Sequence, residues 1–365
     1  MKNGKERMNE IFDKNKKGGL VWTTFVDNIT LSGMSEPYRS MGPMDFYRHL
    51  GCDIFDLRFD RYVQGFNPAK QITHEVEIVK TEEEDGTKVT VIKTQWGDLV
   101  SKVKYAHPVK YPVRTKDDLV VFKKMWQNTD YVEIPGSENA YRDILSSVGE
   151  NGIIAEVFDS SPVQRLLQID MGVESFYYLL EDEKHEMEEL LDIMHEKWKK
   201  EYEIVAKNSL LRACIPIENT SIEFVSPYIY NKYEIPQLKD YVDILHKYNK
   251  TAIIHMCGKV LNLLEMFKKI GADGIHALCE PSIGDTPYEE AFHVLGDDLI
   301  LVAIIDPAIF MDPNASADDL VQVFKRQIRP DVYEKNVIFA APADGMPMDY
   351  WKFELLKEWI DRNTK

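Results

Sequence analysis

The stretch TAIIHMCGKV, residues 251–260, places His255 and Cys257 two positions apart at the end of an apolar run. In a strand, a spacing of two puts both side chains on one face. A second run, DGIHALCEPSIGD, has His276 inside it and Cys279 just beyond it. Two neighbouring strand ends therefore offer imidazole and thiolate donors, the borderline-soft set that suits Zn2+. Three protein ligands would suffice for a catalytic site, which keeps its fourth position open. Cys52 and Cys214 each stand alone in an apolar run and are expected to be packing residues. His185, His195 and His246 fall in helical segments, and His107 precedes a proline in an expected loop, so surface or capping roles suit them better than ligation. Two carboxylates close other runs. Glu218 in IPIENTS is placed to contact substrate or to hydrogen-bond a ligating imidazole, with a helix N-cap as its alternative. Asp306 in AIIDP is open to a rim role or a turn-forming one. Tyr228 and Tyr230 are candidates for the mouth of the site or for packing.

The elements that must position these residues share one grammar: amphipathic helix, glycine, apolar strand. It occurs at Gly51, Gly271 and Gly296, each suited to the left-handed conformation that closes a helix. Strands are expected at Val21–Val26, Cys52–Phe59, Ile153–Phe158, Leu211–Ile217, Thr251–Met256, Asp273–Leu278, Leu299–Ile305 and Val337–Ala341. Helices are marked by Met187, Leu190, Leu191, Met194 and Trp198, by Leu238, Tyr241, Val242 and Leu245, and by Val260, Leu263, Leu264 and Phe267. Eight such strands favour a closed (β/α)8 TIM barrel, an α/β fold, over an open sheet, and no glycine-rich phosphate loop follows any strand. Catalytic residues of such a barrel sit at the C-terminal rim of the strands. An N-terminal extension precedes the barrel. Residues 72–105 read as an inserted β-hairpin cap of two or three strands turning at Asp85-Gly86, with Glu82–Asp85 a solvated tip. Residues 1–365 are expected to form a single barrel domain.

Composition narrows the function classes. The 61 acidic and 44 basic residues give a net charge of −17, which argues against nucleic acid or an anionic membrane surface as partner. No apolar run is long enough for a membrane helix, and the basic start MKNGKERMNEIFDKNKKGG lacks the apolar core of a secretory signal. Four cysteines in 365 residues do not make a disulfide framework, so a reducing cytoplasm is the expected location.

The HMCGKV turn, GADGIHAL, LGDDLILVAIIDP and FAAPADGMP, with YRHLGCDIFD and TQWGDLVSKVKY before them, resemble the uroporphyrinogen decarboxylase superfamily. They resemble most its zinc- and corrinoid-dependent methyltransferase branch, over roughly Cys52 to the C-terminus, with the H-x-C-G turn as the diagnostic part. The resemblance implies Zn2+ held by His255 and Cys257, with His276, Cys279 or Asp344 completing the shell. It also implies a corrinoid (cobalamin) carried by a partner protein and a small methylated substrate; a homodimer is allowed. His276 stands where zinc-dependent members often have Glu. The last-strand turn, Ala340-Ala341-Pro342-Ala343-Asp344-Gly345, lacks the Cys of thiol-methylating members. The Arg-rich N-terminal signature of the decarboxylase is replaced by VWTTFVDNITLSGMSEPYRSMG. The expected activity is transfer of a methyl group from a small O- or N-methylated donor to Co(I), with Glu218, Asp306 and Asp344 as candidate catalytic residues. The alternatives are a corrinoid-protein:thiol methyltransferase, a metal-free decarboxylase-like lyase, and a barrel that retains only structural zinc.

Overall fold

The computed structural model describes residues 2–56, 67–343 and 345–364. Eight parallel strands form one sheet: β1 (Trp22–Thr24), β2 (Ile54–Asp56), β3 (Gly152–Phe158), β4 (Ala213–Pro216), β5 (Thr251–His255), β6 (Gly274–Leu278), β7 (Ile300–Ile304) and β8 (Val337–Ala341). From β2 to β8 each pairs with the next in sequence, and β8 returns to pair with β1. The last gap, between β1 and β2, is bridged by Asp53 N–H donating to Trp22 O at 2.9 Å and Phe55 N–H donating to Thr23 Oγ1 at 3.3 Å. The result is the expected (β/α)8 barrel, with every barrel strand inside or nearly inside its expected run. The Leu57–Phe59 end of the second expected strand lies outside the described residues, as does Asp344.

Two apolar layers follow from strand alternation. Ala213, Ile215, Ile253, Ile300, Val302, Ile338 and Ala340 fill the barrel interior, while their alternate neighbours pack against the helices outside. Cys52 and Cys214 belong to that outer layer, on the opposite side of the sheet from Cys257 and Cys279. Cys214→Ala is accordingly expected to cost only about 1 kcal/mol in a denaturant melt, with metal content and activity unchanged.

The helix Gly4–Phe12 closes the N-terminal floor of the barrel, inserting Met8, Ile11 and Phe12 into the interior layer. Gly51 and Gly271 close their helices in the left-handed conformation, as expected. Gly296 differs: it has φ 96° and ψ 163°, a positive-φ extended geometry outside the left-handed helical region.

The insertion after β2 is larger than a hairpin. Strands Val76–Glu82, Lys88–Thr94, Gly97–Lys104 and His107–Lys110 form a four-stranded antiparallel sheet, and Ala69–Thr73 pairs with Thr129–Glu133. His107 thus begins a strand, correcting the expected loop. One side of the sheet is apolar and must be covered. Helix Lys116–Gln127 covers it, with Leu99, Val113, Leu119, Phe122 and Trp126 buried in one layer. The turn at Asp85-Gly86 is where expected, and Asp85 is paired with Lys104. No helix among the described residues is long and apolar enough to cross a membrane.

Candidate active site

His255 ends β5 and Cys257 lies two residues on, partly buried against the interior layer. His255 and His276 are register partners across β5 and β6, and their Nδ1 atoms are 2.7 Å apart. One imidazole must donate and the other accept. Both are held far from protonation: burial pushes His255 down to about 4 and His276 well below its ordinary range. The His276 ring packs on Phe25 and Phe55, at centroid distances of 5.4 and 6.2 Å, and its buried Nε2 has no hydrogen-bond partner among the described residues. In the tautomer where His276 donates through Nδ1, that Nε2 presents a free lone pair.

A regular strand would send His276 and Cys279, three residues apart, to opposite faces. The structure brings both inward through a bulge: Ala277 adopts φ 63°, and the register to β7 slips between His276 and Leu278. An alanine in the left-handed region of a strand is a local strain. Cys279 is buried, its thiol donates to Ala277 O at 3.4 Å, and burial pushes it up to about 12. Burial also raises the Cys257 thiol, which donates to Asn219 Oδ1 at 3.6 Å.

The glycine of the H-x-C-G turn has a steric reason. A Cβ on Gly258 would lie 2.4 Å from Ser221 Cβ and 2.7 Å from Thr220 O, so only glycine lets this turn meet the one after β4. That neighbouring turn carries Glu218, which is fully buried and accepts from Ser161 N–H at 2.6 Å and Ser161 Oγ at 2.7 Å. The N-cap alternative for Glu218 is therefore not what the structure shows; its side chain ties the β4 turn to the β3 turn. Asp306 instead caps the helix Pro307–Phe310 and pairs with Arg326 at 2.7 Å, the turn-forming alternative. Tyr230 is fully buried and Tyr228 is exposed. The sequence reading missed Ser161 and Asn219; the signal for Asn219 was its place beside Glu218 in IENTS.

Burial pushes the Glu218 carboxyl up to about 7. Unfolded, it titrates near its ordinary value of about 4.3. The folded state thus holds the proton more tightly, and Glu218 costs stability as pH rises from about 4.3 to about 7. Glu218→Gln, which keeps the shape without the charge, is expected to raise Tm above about pH 7 and to have little effect below about pH 5; thermal melts at the two pH values check this.

The donor types fit a borderline-soft cation, and the orphaned His276 Nε2 is a ligand atom in search of a partner. Among the described residues, no three His, Cys, Asp or Glu side chains converge as a finished ligand set. As placed, the two imidazoles occupy each other's Nδ1 atoms, so joint ligation needs one ring to turn.

A sequence profile of the uroporphyrinogen decarboxylase (URO-D) family matches residues 160–351, just over half of the 365-residue chain. No curated protein sequence matches. Among solved structures, a methyltransferase from Methanosarcina mazei shares the fold at TM-score 0.58 and 16% identity, covering 99% of both chains. A D-psicose 3-epimerase solved with D-fructose aligns at TM-score 0.37 and 10% identity, over 62% of this chain and 83% of its own.

Proposed function

Because the chain belongs to the uroporphyrinogen decarboxylase family, we propose that it uses the family's barrel for zinc-dependent methyl transfer between a small O- or N-methylated donor and a corrinoid protein. The observation that carries this reading is the direct contact of His255 with His276 at the C-terminal ends of β5 and β6, with Cys257 two residues beyond on the same interior layer. His255 and Cys257 would hold the zinc, and His276, whose Nε2 has no partner among the described residues, would be the third donor once one imidazole turns; Cys279 donates to Ala277 O. In this reading a corrinoid carried by the partner would be the methyl acceptor, and zinc bound here would supply Lewis acidity to the leaving oxygen or nitrogen of the donor.

The protein's own residues do the rest. Phe25 and Phe55 shield His276 from water and keep it neutral, hence able to ligate. Glu218 N–H donates to His255 O at 3.2 Å and so fixes the end of β5. Among the described residues, Arg165 is paired with Asp159 and Asp170 and Arg326 with Asp306.

Incubating the protein with methyl ethers and methylamines and a Co(I) corrinoid protein, and following the loss of the Co(I) absorbance, tests the reading. Transfer from a donor without added thiol is expected. Transfer only from methyl-corrinoid to a thiol would reverse the direction, and no transfer either way would refute it.

A further inference from the structure

We propose that Gln168 and Asn219 are positioning residues that aim the sulfur of Cys257 into the barrel; this rests on the reading that Cys257 is the working sulfur. A continuous file of side-chain amides leads to that atom. Gln164 Nε2 donates to the Glu234 carboxylate at 3.1 Å, and Gln168 Nε2 donates to Gln164 Oε1 at 3.0 Å. Asn219 Nδ2 then donates to Gln168 Oε1 at 2.9 Å, and the Cys257 thiol donates to Asn219 Oδ1 at 3.6 Å.

The direction of the file is dictated by chemistry. Gln168 Nε2 also donates to the backbone carbonyl of Glu218 at 3.1 Å. A carbonyl can only accept, so the NH2 of Gln168 must face it and its oxygen must face Asn219. Asn219 then has its NH2 engaged and its oxygen turned to Cys257. The protonated sulfur of the metal-free protein therefore meets an acceptor whatever the protonation of Glu234 at the far end.

The backbone is shaped to build this file. Gln164 and Gln168 are four apart on one helix face. Gln168 lies in a π-helical segment, Leu166–Asp170, and Glu234 ends another, Tyr230–Glu234. Such widened turns are rare and often found at functional sites. Asn219 adopts φ 53°, which Asn tolerates better than most residues. From that conformation its backbone N–H donates to His255 O at 3.1 Å. One turn thus holds His255 by its backbone and Cys257 by its side chain. Apolar residues would fill this partly buried space without any need to satisfy four polar groups, so a file ending on sulfur is better explained by aim than by packing.

The test is alkylation of Cys257 by iodoacetamide in the full-length chain after metal is stripped with EDTA, quantified peptide by peptide in wild type, Asn219→Gly and Gln168→Leu. Glycine suits the positive φ at 219, which protects the fold of that variant. Both variants are expected to react at Cys257 about two- to threefold faster, in keeping with a weak S–H donor, and the double variant no faster than either. Buried Cys52, Cys214 and Cys279 should keep their wild-type rates. Unchanged rates at Cys257 would overturn the proposal, as would equal acceleration at all four cysteines, the mark of general loosening. The zinc content of wild-type protein reports separately on the functional reading: zinc-free protein that still shows the shift refutes that reading and leaves the positioning intact.

Discussion

Cys257→Ser is expected to slow methyl transfer on the order of 1,000-fold while leaving Tm within a few degrees of wild type. A serine hydroxyl stays protonated and is a hard donor, so it replaces thiolate poorly in a borderline-soft site. Lewis-acid stabilisation of a developing oxyanion is worth several kcal/mol, and about 4 kcal/mol corresponds to that factor. The fold should not notice: Cys257 is only partly buried, lies beyond the last residue of β5, and its hydrogen bond to Asn219 can be remade by serine. Initial rates beside a circular-dichroism melt make the check. An unchanged rate would remove Cys257 from the site, and a lost melting transition would make its role structural.

The second large effect lies at the opposite end of the barrel. Deleting residues 2–12 is expected to abolish cooperative melting. Met8, Ile11 and Phe12 are buried in the interior layer, and the Phe12 ring lies 5.9 Å from Phe55. Burial at roughly 1.5–3 kcal/mol per large apolar side chain gives about 5–9 kcal/mol, comparable with the roughly 5–15 kcal/mol that holds a whole domain together. The helix is also anchored by polar contacts. Asn3 and Glu6 form a capping box, Arg7 Nε donates to Asp53 at 3.0 Å, and Gly4 packs so closely on Asn151 O that a Cβ would sit 2.1 Å from it. A truncated chain melting within a few degrees of the full one would show that the barrel floor needs no plug.

The barrel was legible because its strands are short, apolar and β-branched, and because glycine marks the helix ends. The same periodicity put His255 and Cys257 on one face. It could not reveal that His276 and Cys279 share that face, since the bulge depends on Ala277 adopting a conformation that alanine does not advertise. The N-terminal helix reads as a polar segment, and only contact with Phe55 and the barrel floor shows which of its residues are core. Glu218 was found from its position at a strand end, but its partner Ser161 is 57 residues away, a pairing that no local pattern encodes. The amide file to Cys257 was hidden for the same reason: its members come from three separate βα turns, and glutamines on a helix ordinarily face water.

Zinc X-ray absorption on the purified wild-type protein addresses the central claim most directly. The account predicts close to one zinc per chain, with a sulfur neighbour at about 2.3 Å and nitrogen neighbours at about 2.0–2.1 Å. Protein that transfers methyl groups without zinc, or zinc whose shell contains no sulfur, would contradict it.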